Sequence, residues 1–100
     1  MVKGTTPTHI FELPFDSSSV SKVKIVYTQN NKVILTKRNE DVTFDGNYIS
    51  LKLTQEETFL FDHSRSVQIQ VRVLDNDNVA LASTIMSVSV DKCLDDEVLQ

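Results

Sequence analysis

The chain has 100 residues, a net charge of −4 and 40% hydrophobic residues, with 13 Val, 6 Ile and 9 Thr against only two Ala. β-branched side chains are restricted at χ1 and favour strands, whereas Ala is the strongest helix former, so the composition predicts an all-β domain with one core. Apolar runs of a few residues exclude a membrane-spanning helix, and two Gly and one Cys exclude a dinucleotide fingerprint, a P-loop and a cysteine zinc cluster.

Apolar and polar residues alternate along most of the chain, which indicates half-buried strands. The alternation is clearest at 67–73, where Val or Ile occupies every second position. Asn30-Asn31 and Asp45-Gly46 are two-residue hairpin motifs, because Asn, Asp and Gly tolerate the left-handed backbone that such turns require. The pattern predicts seven strands, at 8–13, 20–29, 32–37, 42–44, 47–53, 66–75 and 79–90.

The segment after the fifth predicted strand departs from this pattern. Thr54 and Glu57 have the spacing of a capping box, which predicts one short helical turn near 55–60. The last strand keeps no single register, so we expect a bulge or a kink near Ser83. The predicted fold is an immunoglobulin-like antiparallel β-sandwich of about seven strands, a single domain over residues 1–90.

Most of the negative charge lies in the last ten residues. Residues 91–100 contain four acidic residues and one Lys, a net charge of −3, which leaves −1 for residues 1–90. We predict that this segment is an acidic C-terminal tail or a short helix. A near-neutral body has no basic face to offset phosphate charge, so we expect protein partners and no nucleic acid.

Two His residues are the candidates for acid–base chemistry. His9 falls on the core face of the first predicted strand, which is typical of a partly buried structural His, and His63 falls in a polar loop. Nothing in the sequence places a nucleophile, a base and an orienting group within hydrogen-bond reach of one another. We therefore expect no enzymatic activity and no cofactor.

One oxygen-rich loop, from Asp75 to Asn78, invites comparison with a calcium site. The EF-hand pattern continues with a Gly and a later Glu, whereas Val79 follows here. A polar hairpin turn is the favoured interpretation, and no metal site is predicted. The lone Cys93, beside Lys92, is predicted to be an inert thiol.

Four apolar residues on outward strand faces are candidates for an interaction surface: Ile10, Val26, Ile34 and Tyr48. If they cluster, they form an exposed apolar patch of the kind that marks a partner surface. The alternatives are that they are scattered singly or that the strand register differs. The open edges of a sandwich offer a second route to assembly, by addition of a strand.

Three stretches of the sequence carry a family resemblance. They are Gly4-Thr5-Thr6-Pro7-Thr8 leading to Phe11-Glu12-Leu13-Pro14-Phe15-Asp16, then Leu53-Thr54-Gln55-Glu56-Glu57-Thr58, then Val67-Gln68-Ile69-Gln70-Val71-Arg72-Val73 with Ala82-Ser83. The chain resembles small proteins encoded by phages and prophages of Gram-positive bacteria, especially gut species. It is similar in layout to the N-terminal β-sandwich modules of phage baseplate and receptor-binding proteins. The resemblance implies a structural role in the bacterial host cytoplasm or the assembled virion, and it assigns no catalytic residue.

We therefore expect a non-enzymatic structural or interaction module, a phage or prophage tail- or baseplate-associated assembly protein that binds itself or other tail components. The N-terminus has no apolar segment typical of a secretory signal. The alternative is a carbohydrate- or ligand-binding β-sandwich, in which exposed rings stack on a sugar. Because Trp is absent, Tyr27, Tyr48 and the Phe residues are the rings available.

Overall fold

A computed structural model describes all 100 residues and contains eight strands, one short α-helix and two turns of 3₁₀ helix. The strands are β1 (Thr8–Glu12), β2 (Val20–Gln29), β3 (Lys32–Arg38), β4 (Thr43–Asp45), β5 (Tyr48–Lys52), β6 (Val67–Asp75), β7 (Ala80–Ala82) and β8 (Met86–Val88). The helix α1 covers Gln55–Phe59, and the 3₁₀ turns cover Ser17–Ser19 and Asn39–Asp41.

The strands form two antiparallel sheets that pack face to face. The small sheet has the order β1-β5-β4, and the large sheet has the order β3-β2-β6-β7, with β8 also paired to β6. The molecule measures 47 × 30 × 16 Å, as expected for two layers about 10 Å apart. The predicted all-β sandwich is confirmed. Because β2 lies between β3 and β6 instead of beside β5, the likeness to immunoglobulin constant domains is one of architecture and not of strand order.

The core between the sheets is built from the alternate residues that the sequence assigns to the inner strand faces. Its buried members are Phe11, Leu13, Val23, Ile25, Tyr27, Ile49, Leu51, Leu53, Phe61, Val67, Ile69, Val71, Val73 and Val90. Phe61, which follows α1, packs against Tyr27 with 6.0 Å between the ring centroids. The alternation predicted at 67–73 is therefore confirmed, because Val67, Ile69, Val71 and Val73 of β6 all face the core.

The hairpin between β2 and β3 forms where it is predicted. Asn30 and Asn31 have φ values of 52° and 62°, the left-handed backbone that the motif requires. β2 has the predicted bounds, 20–29, because the polar break before it and the Asn pair after it both act as expected.

The hairpin between β4 and β5 is displaced by one residue from the prediction. Asp45 already pairs with β5, so the two loop residues are Gly46 and Asn47. Gly46 has a φ of 56° at the first loop position, where a type II′ turn requires a positive value. β4 accordingly covers Thr43–Asp45 and not 42–44.

The predicted last strand, 79–90, is divided into β7 and β8. At the break, the N–H of Ser83 donates to the carbonyl of Val71 at 2.8 Å, and Ser83 Oγ accepts the N–H of Val71 at 3.0 Å. The Ser83 side chain thus takes the place of a main-chain carbonyl as the acceptor for the N–H of Val71 on β6. The expected kink near Ser83 is confirmed, and it raises the number of strands to eight.

The helix α1 begins at the predicted capping box. Thr54 Oγ1 accepts the N–H of Glu57, and the Glu57 carboxylate accepts the N–H of Thr54. The same carboxylate pairs with Lys37 of β3. Thr58 Oγ1 accepts the N–H of Gly4 at 2.9 Å. The short helical turn is therefore confirmed, and it ties β3 to the N-terminal segment.

The two long sides of the sandwich differ. On one, which we call the closed side, the chain crosses from β3 to β4 through Asn39–Asp41. Asn39 Oδ1 accepts the N–H of Val23 at 2.8 Å, and its amide donates to the carbonyl of Ser21 at 3.1 Å, so the crossing is fastened to β2. On the other, which we call the open side, β1 lies opposite β7 and β8 across a groove.

The first and last segments of the chain lie against each other. Val2 forms a parallel bridge with Asp91. Residues 91–100 contain no helix, and the Gln55 side chain exchanges two hydrogen bonds of 2.9 Å with the main chain of Leu99. The short helix predicted as one alternative for this segment is therefore not formed.

Candidate interaction surfaces

A groove of about 490 Å³ runs along the open side. β1 and the residues after it form one wall, and β6, β7 and β8 contribute to the other. Nine of its 13 lining residues are hydrophobic, so its surface is mainly apolar. Ile10 and Leu81 are 64% and 42% exposed, and the half-buried Phe15 and Met86 connect the groove to the core. An open apolar groove of this kind is suited to hold apolar groups of a partner.

The main chain of β1 leaves hydrogen-bonding groups free beside the groove. The N–H of Leu13 donates to the β4–β5 loop at 2.7 Å, and the carbonyl of Pro7 accepts from the end of β5 at 3.0 Å. These bonds show that the main-chain N–H and C=O groups of the odd-numbered residues of β1 are the ones directed toward β5. Because bonded positions alternate, the N–H and C=O groups of Thr8, Ile10 and Glu12 point away from it.

The strand β7 leaves a similar free edge on the opposite wall. The N–H of Ser83 and the carbonyl of Val79 both bond to β6, which places the odd-numbered residues in that ladder. By the same alternation, the main-chain groups of Ala80 and Ala82 point outward. Two free edges therefore border the groove.

The four residues predicted as an interaction surface do not form one patch. Ile10 and Tyr48 are diagonal neighbours on the outer face of the small sheet. Val26 lies on the outer face of the large sheet, on the other side of the molecule. The outward assignment of Ile34 is wrong: it lies at the β-bulge of β3, which turns its half-buried side chain toward the core. Of the four, Ile10 alone lines the groove.

Sequence reasoning missed Leu81 and Phe15 as surface-forming residues. Leu81 lies in the stretch whose register is irregular, and Phe15 follows Pro14, where the first strand was predicted to stop. Both interruptions are typical of strands at a sheet edge. The available signal was therefore the irregularity itself, which marks the two strands that border the groove.

His9 and Tyr27 make a polar contact between the two sheets. His9 Nδ1 lies 2.6 Å from Tyr27 Oη, and the stacked rings have centroids 5.7 Å apart. Tyr27 is fully buried and His9 is half-buried, as predicted for a structural His. Burial and the N-terminal charge lower the pKa of His9, and burial and the charge of Glu57 raise the pKa of Tyr27. The tautomer of neutral His9 in which Nδ1 carries no proton accepts the hydroxyl proton of Tyr27, which has no other hydrogen-bond partner.

His63 lies exposed in the loop after α1, whose hydrogen bonds serve its own backbone. Asp62 Oδ1 accepts from the N–H and the hydroxyl of Ser64, which lowers the pKa of Asp62. The buried Gln29 amide fastens this loop to β2 through bonds of 2.8 Å to the Asp62 main chain. His9 and His63 share no hydrogen-bond partner, so the structure does not join them in one constellation.

The oxygen-rich loop at 75–78 is the predicted polar turn. Asp75 Oδ1 accepts the N–H groups of Asp77 and Val79 at 2.9 and 2.8 Å, and Asn78 has a φ of 61°. Oxygens that would ligate a cation instead hold the backbone of the turn. No group of three or more His, Cys, Asp or Glu side chains is placed to hold a metal ion.

Comparison of the chain with protein families, curated proteins and solved structures found no match. No helix of the structure combines the length and the apolar character needed to cross a bilayer. A functional assignment therefore depends on the geometry of the open side and on the sequence resemblance.

Proposed function

We propose that the protein is a non-enzymatic structural module that binds other proteins through its open side, as a phage or prophage tail- or baseplate-associated assembly component. The observation that carries this proposal is the apolar groove of about 490 Å³ between β1 and β7–β8, bordered by free main-chain groups on both walls. The phage context comes from the sequence resemblance, which implies a location in the bacterial host cytoplasm or in the assembled virion.

Both parts of this surface favour a polypeptide ligand. Burial of the exposed side chains of Ile10 and Leu81 is favourable at about 25 cal/mol per Å² of apolar area. The free N–H and C=O groups of β1 and β7 are suited to an extended chain, which adds as a further strand. A peptide with alternating apolar side chains satisfies both requirements, whereas a small polar metabolite satisfies neither.

Two matched variants test the proposal with lysates of Gram-positive cells in which a prophage has been induced. Leu81→Lys places a charge in the groove, and Val33→Lys places the same charge on the β3 edge, where Val33 is 57% exposed. We expect tagged wild-type protein and V33K to capture tail or baseplate proteins, identified by mass spectrometry, and L81K to lose them. Capture of no tail or baseplate protein by the wild type, or equal capture by L81K, contradicts the proposal.

A carbohydrate-binding function is the second candidate, and the surroundings of Tyr48 favour it. The ring is 46% exposed on the outer face of the small sheet, where Tyr48 pairs with Glu12 of β1 and with Asp45 of β4. An exposed ring flanked by carboxylates is suited to stack on a sugar and to accept hydrogen bonds from its hydroxyls. Glycan-array binding that is lost in Tyr48→Ala and kept in Leu81→Lys supports this candidate, and an array without binding rejects it.

A further inference from the structure

The strands at the sheet edges differ in how they discourage pairing with another chain. β3 carries basic residues and a β-bulge, β4 and β7 have three residues each, and the break before β8 interrupts the β7 edge. Short length, bulges and charged side chains are the features that protect an edge strand. Of these features, β1 has only a charged side chain. Its five residues pair with β5 in unbroken register, Ile10 at its centre is 64% exposed, and its charged residue, Glu12, is at its end.

We propose that β1 pairs with β1 of a second copy of this chain, antiparallel about a two-fold axis at Ile10. The outward main-chain groups belong to Thr8, Ile10 and Glu12. The axis places Ile10 opposite Ile10, and Thr8 opposite the partner's Glu12. This register is the one in which all three outward residues of each copy meet those of the other, with two main-chain hydrogen bonds for each pair.

The side chains fit this register. The two Ile10 side chains form an apolar cross-strand pair, and Thr8 faces a carboxylate that its hydroxyl can bond. Lys52 lies beside Thr8 in the β1–β5 ladder, so Lys52 and the partner's Glu12 flank Thr8 on one face with about 10 Å between their strands. Their long side chains span that distance, and the charges are opposite. A register centred on Glu12 instead brings two carboxylates face to face, which is unfavourable.

The contact is isologous, because both copies use the same edge, so it closes on a dimer. It joins the small sheets of both copies into one sheet of order β4-β5-β1-β1-β5-β4. The dimer rests on the proposed function, because it names a partner for the open side.

The first test is the mass of the intact protein in solution by sedimentation equilibrium. We expect the mass to rise from 11.3 kDa to twice that value as the protein concentration increases. Ile10→Lys places two ammonium groups face to face and weakens self-association by about tenfold or more, whereas Val33→Lys on the β3 edge leaves it unchanged. Urea unfolding of both variants at low concentration checks that they fold. A protein that stays monomeric throughout, or equal weakening by V33K, overturns the inference.

The second test fixes the register by disulfide formation in a Cys93→Ser background. Bonded antiparallel neighbours have Cα atoms about 5.5 Å apart, within the range that a disulfide spans, so Ile10→Cys is expected to form a covalent dimer on mild oxidation. The two copies of Thr8→Cys lie about 13 Å apart along the paired strands and are expected to stay reduced. Cross-linking of Thr8→Cys as readily as of Ile10→Cys overturns the register.

The outcomes for the dimer and for the proposed function are separable. A monomer that still captures tail proteins in a Leu81-dependent way overturns the dimer and leaves the proposed function in place. A dimer with the Ile10 cross-link that captures no tail or baseplate protein supports the pairing and contradicts the phage role.

Discussion

The closed and open sides of this sandwich differ in whether the chain covers the gap between the edges of the two sheets. On the closed side the chain crosses between the sheets, and Asn39 bonds to Val23 and Ser21 of β2. The neighbouring β3 edge carries basic residues and a bulge. On the open side an apolar groove remains between β1 and β7–β8. The crossing stabilises the closed side of the monomer, and we propose that the open side binds a partner.

The largest expected effect is the difference in the free energy of unfolding between a core substitution and a substitution on the open side. Leu51 of β5 is 1% exposed, so Leu51→Ala removes core packing and is expected to lower the free energy of unfolding by about 2–5 kcal/mol. Ile10→Ala, on the neighbouring strand, is expected to change it by less than about 0.5 kcal/mol, because Ile10 is 64% exposed. Urea unfolding at low protein concentration measures both values. Equal losses would mean that Ile10 belongs to the core and that the open side is not free.

The next largest effect is a loss of stability on the closed side. Asn39→Ala leaves the N–H of Val23, a residue only 3% exposed, without an acceptor. The expected loss is about 1–3 kcal/mol, the cost of a buried unpaired donor. Glu40→Ala, in the same 3₁₀ turn, is the matched control and is expected to be near neutral. A loss for Asn39→Ala no larger than that for the control would contradict the role assigned to this crossing.

A smaller effect concerns the helix that ties β3 to the N-terminal segment. Thr54→Ala removes the side chain that accepts the N–H of Glu57 and is expected to cost about 1 kcal/mol. Thr43→Ala, at an exposed position of β4, is the control for loss of the same side chain elsewhere. Thermal unfolding of the two variants compares them, and equal midpoints would argue against the capping box as a stabilising element.

The smallest effect is a pH dependence at the contact between the sheets. Because the pKa of His9 is lowered from 6.5 in the folded state, the unfolded chain binds more protons below that pH. The contribution of His9 to the free energy of unfolding is therefore complete above about pH 6.5. It falls as the pH drops below that value and levels off below the folded-state pKa of His9. Protonated His9 donates from Nδ1, which leaves the buried Tyr27 hydroxyl proton without its acceptor.

Variants isolate this pH dependence from that of the carboxylates. His9→Gln is expected to abolish the fall that begins as the pH drops through about 6.5, and His63→Gln, in an exposed loop, is expected to retain it. Burial opposes ionisation of Glu57, but hydrogen bonds from Lys37 and Thr54 outweigh it and lower its pKa. Its contribution therefore begins to be lost below about pH 4.5, whereas that of His9 begins to be lost below about pH 6.5. Urea unfolding across this range gives the slopes, and a fall that persists in His9→Gln would assign it to another group.

The sequence predicts the core well because strand faces alternate locally. The inner residues of β2, β5 and β6 follow from that period alone, and Thr54 with Glu57 predicts the helix. Ile34 does not follow, because a bulge adds one residue to β3 and reverses the alternation without a local sequence signal. The groove is equally hidden, since its two walls come from β1 and from β6–β8, which are distant in sequence.

Amide hydrogen exchange at low and high protein concentration tests the central claim, that β1 is the edge available to a partner. The N–H groups of Thr8, Ile10 and Glu12 point away from β5, and that of Thr36 points away from β2 on the closed side. We predict that the three β1 amides become protected as the protein concentration rises, while Thr36 keeps the same exchange rate. Unchanged exchange at Ile10, or equal protection at Thr36, would contradict it.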